Sequence, residues 1–172
     1  MTEYDRRMDK MPKMPRLSYL LRQAQLANRQ QLESVLRAFG LTPSQYMVLS
    51  IISEHNEGMF SAALARRLWI APQSSNEIVA SLEKMELIRR VEDTASRRVL
   101  RVGVTVKGRA LLAKCEKAVD RFEQDFFAAF SAEEEDQFRD MLIALVRSIR
   151  ERTVADGLGE IGKRPRQTGT AR

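Results

Sequence analysis

Gln73, Ser74, Ser75 and Asn76 stand in a row directly after Pro72, and Glu77 follows them. Further on, Arg97 and Arg98 close a short polar stretch, Asp93-Thr94-Ala95-Ser96. These residue types in this pattern recognise; they do not catalyse. Gln and Asn can each make two hydrogen bonds to the edge of adenine, Ser can bond a base or a phosphate, and a carboxylate can accept from the cytosine amine. Arginine at a hairpin tip can reach the minor groove or a phosphate. Placed at a helix start and a turn, the two clusters are expected to contact double-stranded DNA, with Ser61 at the head of the preceding helix as a further contact.

Catalytic chemistry is not expected, and neither is a cofactor. The chain has one histidine, His55, and one cysteine, Cys115. No nucleophile–base pair, metal-ligand spacing or Gly-rich phosphate loop is visible. The run Glu133–Asp136 resembles a metal cluster, but it follows Ser131 at a helix start, where carboxylates complement the helix dipole. His55 falls at a helix end and is read as favouring that C-terminus or as solvated. Cys115 lies on an apolar stripe and is read as a packing residue. The alternative is a redox-sensing regulator in which Lys114 and Lys117 lower the pKa of an exposed thiol.

Net charge is +6, and it is unevenly spread. Residues 58–109 carry ten Lys/Arg against five Asp/Glu, whereas residues 110–149 carry five against nine. A basic middle implies a polyanionic partner. No apolar run approaches the roughly 20 residues of a membrane span, and the start of the chain lacks a signal-peptide core, so a cytoplasmic, nucleoid-associated location is expected.

The elements that must position these residues follow from periodicity and punctuation. Residues 1–15 read as a flexible arm. A helix is predicted over 16–39, with Leu17, Leu21, Ala24, Asn28, Leu32, Val35 and Phe39 in one stripe and Gly40 ending it. Thr42, Pro43 and Gln45 form a helix-start signal with a capping box, and Leu41 and Tyr46 have staple spacing. That second helix is apolar all round and should be buried; His55 to Gly58 stop it. Met59-Phe60 is too short to assign as a strand. Ser61 is expected to cap a helix over 62–68, Trp69-Ile70-Ala71 to turn, and Pro72 to open a helix to about Met85, with Ile78, Val79, Leu82 and Met85 inward. Ala71 is a poor cap, which leaves backbone N–H groups at that start available to a phosphate. Strands are predicted over 87–92 and 98–104, with Arg89, Arg90 and Arg101 adding to the basic hairpin. Thr105 should cap a helix to about Phe130, striped by Leu111, Cys115, Val119, Phe122, Phe126 and Phe130. Ser131 and Glu134 form another capping box, opening a helix lined by Phe138, Met141, Leu142, Leu145 and Ile149. The Gly-, Pro- and base-rich segment 154–172 reads as a disordered tail. The fold class is therefore mainly α: a winged helix-turn-helix over 42–105, with flanking helices over 16–39 and 106–152 whose apolar stripes exceed what one winged domain can cover.

The segments LTPSQYMVL, LARRL, APQSSNEIVASLEKMELIRR and SRRVLRVGVTVKGRALL resemble the MarR family of bacterial winged-helix transcriptional regulators. The resemblance covers about Leu41 to Ile149 and, more loosely, residues from Arg16. It implies an obligate homodimer with interlocked terminal helices, acting as a repressor on a pseudo-palindromic operator and released by a small aromatic anion. Tyr46 could line such a ligand site, but no ligand residues are singled out. Four positions depart from the family pattern. Ser96 replaces the Asp that orients the wing arginine, Trp69 replaces a small turn residue, Glu77 replaces a basic one, and Glu86 replaces a Gly. A winged-helix module serving only protein–protein contacts is the alternative from a different class.

Overall fold

A computed structural model describes residues 15–92 and 100–155. Its order is α1 (Leu17–Arg37), α2 (Pro43–Ser53), α3 (Ser61–Leu68), α4 (Pro72–Lys84), β1 (Ile88–Glu92), β2 (Leu100–Val104), α5 (Val106–Phe126) and α6 (Ala132–Ala155). This is the expected mainly α winged helix-turn-helix with flanking helices. The arm and nearly all of the tail lie outside the described residues, although α6 runs to Ala155, past the expected start of the tail.

Local signals set most of the boundaries. Leu41 N–H reaches the Leu36 carbonyl at 3.2 Å and Gly40 N–H that of Arg37 at 3.1 Å. This double closure needs a left-handed residue, and Gly40 supplies it with φ +70°. Phe39 therefore sits in the turn, outside α1, although the predicted helix included it. The Thr42–Gln45 capping box forms in both directions, at 2.8 and 3.2 Å. Gln45 also donates from Nε2 to Ser81 Oγ at 2.9 Å, tying α2 to α4. Ser131 and Glu134 make the second box, and among the described residues no metal-ligating cluster forms there.

The core lies where α2, α4, the sheet and α5 meet, around Leu49, Ile52, Leu64, Val79, Leu82, Leu87, Val102 and Cys115. Burial at this scale, about 25 cal/mol per Å² of apolar surface, is the main stabilising term. α2 is not buried all round: Val48, Leu49 and Ile52 are inside, while Met47 remains 45% exposed. On α5 the buried stripe runs through Leu112, not Leu111, and then Cys115, Val119 and Phe122. That helix ends at Phe126, because Phe127 and Phe130 turn out of it to meet Phe138 of α6 at ring distances of 6.3 and 5.6 Å.

Met59 is part of the sheet after all. Its N–H and carbonyl exchange two 2.9 Å hydrogen bonds with Val102, making a one-residue third strand beside β2. α1 and α6 are the elements without enough partners. Leu17 is 83% exposed, Met141 63% and Ile143 50%. No described helix is long and apolar enough to cross a membrane.

Candidate nucleic-acid interface

α3 and α4 are held together at their heads. The N-cap of α3 is Phe60, not Ser61, and no side chain caps it. Ser61 is instead the first helical residue, and its carbonyl accepts from Ser75 Oγ at 3.3 Å. Ser75 is wholly buried, which corrects the expectation that it faces DNA. Its hydroxyl is turned inward to the neighbouring helix. Gln73, Ser74, Asn76 and Glu77 are exposed on the first turns of α4. Gln73 Nε2 donates to Glu77 Oε1 at 3.2 Å, one turn along the same face. Glu77 thus braces Gln73. Ala71 caps α4 without a side-chain hydrogen bond, as expected.

The turn between the helices closes on Trp69, which holds a left-handed conformation (φ +56°). Ile70 N–H returns to the Ala65 carbonyl at 3.1 Å. Such geometry favours glycine, and a bulky residue there costs about 1–2 kcal/mol. The indole is not idle: the Arg150 guanidinium stands over it, 5.8 Å from the ring centroid. Arg150 Nη2 also donates to the Arg67 carbonyl at 3.2 Å. Arg150 therefore brings α6 into contact with the helix-turn-helix.

The wing is anchored at its root. Glu86 ends α4 in the left-handed region (φ +61°), with Leu87 N–H returning to the Leu82 carbonyl at 3.0 Å. Lys107 Nζ lies 2.9 Å from Glu86 Oε2; that hydrogen bond and charge hold the Glu86 carboxyl below the usual range. Thr105 Oγ1 donates to the Glu86 carbonyl at 2.8 Å and accepts from Gly108 N–H at 3.0 Å.

In the antiparallel register Arg89 faces Gly103, Arg90 faces Val102 and Val91 faces Arg101. Cross-strand partners share a sheet face and successive residues alternate, so Arg90 belongs to one face and Arg89 and Arg101 to the other. Arg90 is drawn to the Glu83 carboxylate, at 3.2 and 3.3 Å. Arg101 lies 3.5 Å from Glu57 and over the Phe60 ring at 4.7 Å. Of the wing arginines, these two are thus engaged within the fold. Arg97 and Arg98, with Ser96, lie outside the described residues.

The other chemically notable residues are structural. His55 Nδ1 donates to the Ile51 carbonyl at 2.9 Å, satisfying the end of α2. Cys115 is wholly buried, and burial pushes its thiol pKa up. Lys114 and Lys117 do not activate it, and the structure opposes its use as an exposed redox sensor.

A model of the MarR family matches residues 39–99. The HTH-type transcriptional repressor Rv2887 of Mycobacterium tuberculosis is 30% identical over 126 residues, covering 73% of this chain and 90% of that protein. The crystal structure of CouR from Rhodococcus jostii RHA1 bound to p-coumaroyl-CoA superposes with a TM-score of 0.70 at 25% identity, over 75% of this chain and 90% of that one. Rv2887 in complex with DNA gives 0.64 at 27% identity, over 77% and 98%. Rv2887 with salicylic acid gives 0.64 at 29%, over 78% and 99%.

Proposed function

This chain belongs to the MarR family of transcriptional regulators, and on that premise we propose that it is a sequence-specific DNA-binding repressor acting as a homodimer. The observation that carries the reading is the first two turns of α4. Gln73, Ser74, Asn76 and Glu77 project together from a helix whose buried Ser75 clamps it to α3. A helix presented this way fits the major groove, which admits one helix and displays a distinct hydrogen-bonding pattern for each base pair. Arg97 and Arg98 on the wing would add minor-groove or phosphate contacts, and the head of α3 at Ser61 a backbone contact. Bare N–H groups at the start of α4 suit a phosphate.

The homodimer reading rests on apolar surface. Leu17 and Leu21 of α1 and Met141, Ile143 and Val146 of α6 are exposed on helices that need a neighbour to bury them. A two-fold pair would set two α4 helices on half-sites about one DNA turn apart, so the operator should be pseudo-palindromic. The salicylic acid and p-coumaroyl-CoA bound by the relatives support a small aromatic anion as the releasing effector.

Selection of binding sites from a random duplex pool tests the whole reading. A two-fold symmetric consensus is expected, bound by a species of twice the chain mass, with affinity for any duplex falling steeply as salt rises. Equal affinity for an isolated half-site would remove the dimeric operator, and no salt-dependent duplex binding would leave an interaction module. Salicylate at rising concentration should release the selected site.

A further inference from the structure

A second basic site lies away from the α4 surface. Beyond the end of α2, the outward face of the wing sheet and the first turn of α5 enclose a cleft of about 240 Å³. Its walls carry His55 and Glu57 from the α2 loop, Arg89 and Arg101 from the strands and Arg109 from α5. Gly103 stands directly across the ladder from Arg89. Gly103 itself puts no side chain there, and a Cβ at that position would stand 3.3 Å from Val91 Cγ2.

We propose that this cleft binds a small doubly charged oxyanion, a phosphate monoester or a dicarboxylate, on Arg89, Arg101 and Arg109. Three guanidinium groups and one carboxylate give the cleft a cationic excess. Among the described residues, no hydrogen-bond or ion-pair partner holds the guanidinium of Arg89 or Arg109, and both residues are exposed. Guanidinium groups bind oxyanions bidentately, through a planar fork that matches a carboxylate or phosphate edge. Glu57 is a built-in competitor for Arg101. It sits 3.5 Å from Arg101, with its side chain 88% exposed, so it can swing out into water when a stronger anion arrives. The Asn56 carboxamide at the rim adds a neutral donor. The site is concave and drawn from three elements, which suits a small molecule better than a duplex backbone.

Titration of the full chain with inorganic phosphate, and separately with succinate, tests this by amide NMR at constant ionic strength set with chloride. Saturable shifts centred on Gly58 and Gly103 are expected. Saturation by phosphate alone assigns a phosphate site, and saturation by both assigns a general dianion site. The double variant R89Q/R109Q should bind at least about tenfold more weakly, given the strength of hydrogen bonds to charged groups, with an unchanged melting temperature. E57Q, which removes the competitor, should bind severalfold more tightly. Linear, unsaturable shifts or equal affinity in R89Q/R109Q would overturn the proposal. So would a loss of random-duplex affinity by R89Q/R109Q in phosphate-free buffer without saturation by either anion, because the arginines would then be duplex contacts.

Discussion

Ser75 Oγ donates across the helix pair to the Ser61 carbonyl at 3.3 Å, from a side chain with no solvent exposure. Its neighbours Ser74 and Asn76 are exposed. The polar row at the head of α4 thus contains two kinds of residue. Ser75→Ala should lower stability by about 1 kcal/mol, the worth of a buried hydrogen bond, and weaken all duplexes alike. Ser74→Ala and Asn76→Ala should leave thermal melting unchanged and alter which bases are preferred, by about 1–3 kcal/mol at a contacted position. Melting curves and site selection on the three variants check the division. A stable Ser75→Ala with changed base preference would put Ser75 back on the DNA face.

Ser75 could have been placed from the sequence, since it stands four residues before Val79 and seven before Leu82, on the same helical face. The preference of serine for helix starts masked that spacing. Ser61 is hidden for a related reason. It looks like a cap, but the backbone entering α3 is set by the pairing of Met59 with Val102, a partner 43 residues away. The signals that proved readable are those completed within a few residues: Gly40 after α1, the Thr42–Gln45 box, Thr105 before α5, and the Ser131–Glu134 box. Arg90 and Arg101 read correctly as wing residues, but their partners Glu83 and Glu57 depend on how the wing folds back, which no local pattern reports.

Gly108, in the first turn of α5, has no room for a side chain. A Cβ there would stand 2.1 Å from the Leu87 carbonyl oxygen and 2.9 Å from Val104 Cγ1. The first contact is with backbone, so no rotamer change relieves it. Gly108→Ala should destabilise by about 1–3 kcal/mol, as overpacking does, and should disturb the Thr105 hydrogen bonds that join α4, the wing and α5. Circular dichroism melting measures the loss. A melting temperature equal to that of the parent would mean that α5 can move away from β1 freely.

Trp69 is the sole tryptophan, so its fluorescence reports the Arg150 contact directly. Arg150→Gln removes the charge above the indole and weakens the tie to the Arg67 carbonyl. The emission maximum should shift while stability falls by about 0.5–1 kcal/mol or less, the range of a partly exposed cation–π pair. An unchanged spectrum would show that α6 does not rest on the helix-turn-helix in solution. Trp69→Gly separates strain from contact, because it relieves the left-handed conformation while losing the same ring.

Tyr46 gives the chain an alkaline signature. Burial, and then the nearby Glu116 and Glu123 carboxylates with Cys115 and Asp120, push its phenol up to about 12 from 10.0. The folded chain therefore keeps this proton over a range in which the unfolded chain releases it. Where the unfolded state binds fewer protons, stability falls as pH rises. The contribution of Tyr46 is whole below about pH 10 and is lost progressively toward about pH 12. Because the ring is only half-buried, the effect should be modest. Tyr46→Phe should match the parent near neutrality and lose less stability across that alkaline window, in denaturant titrations run at several pH values. Phenolate absorbance provides the direct check, since Tyr46 should ionise above the usual tyrosine range. Ionisation of Tyr46 near pH 10, or parallel stability curves for parent and variant, would show that the phenol is open to water and that the packing of α2 on α5 is looser than described.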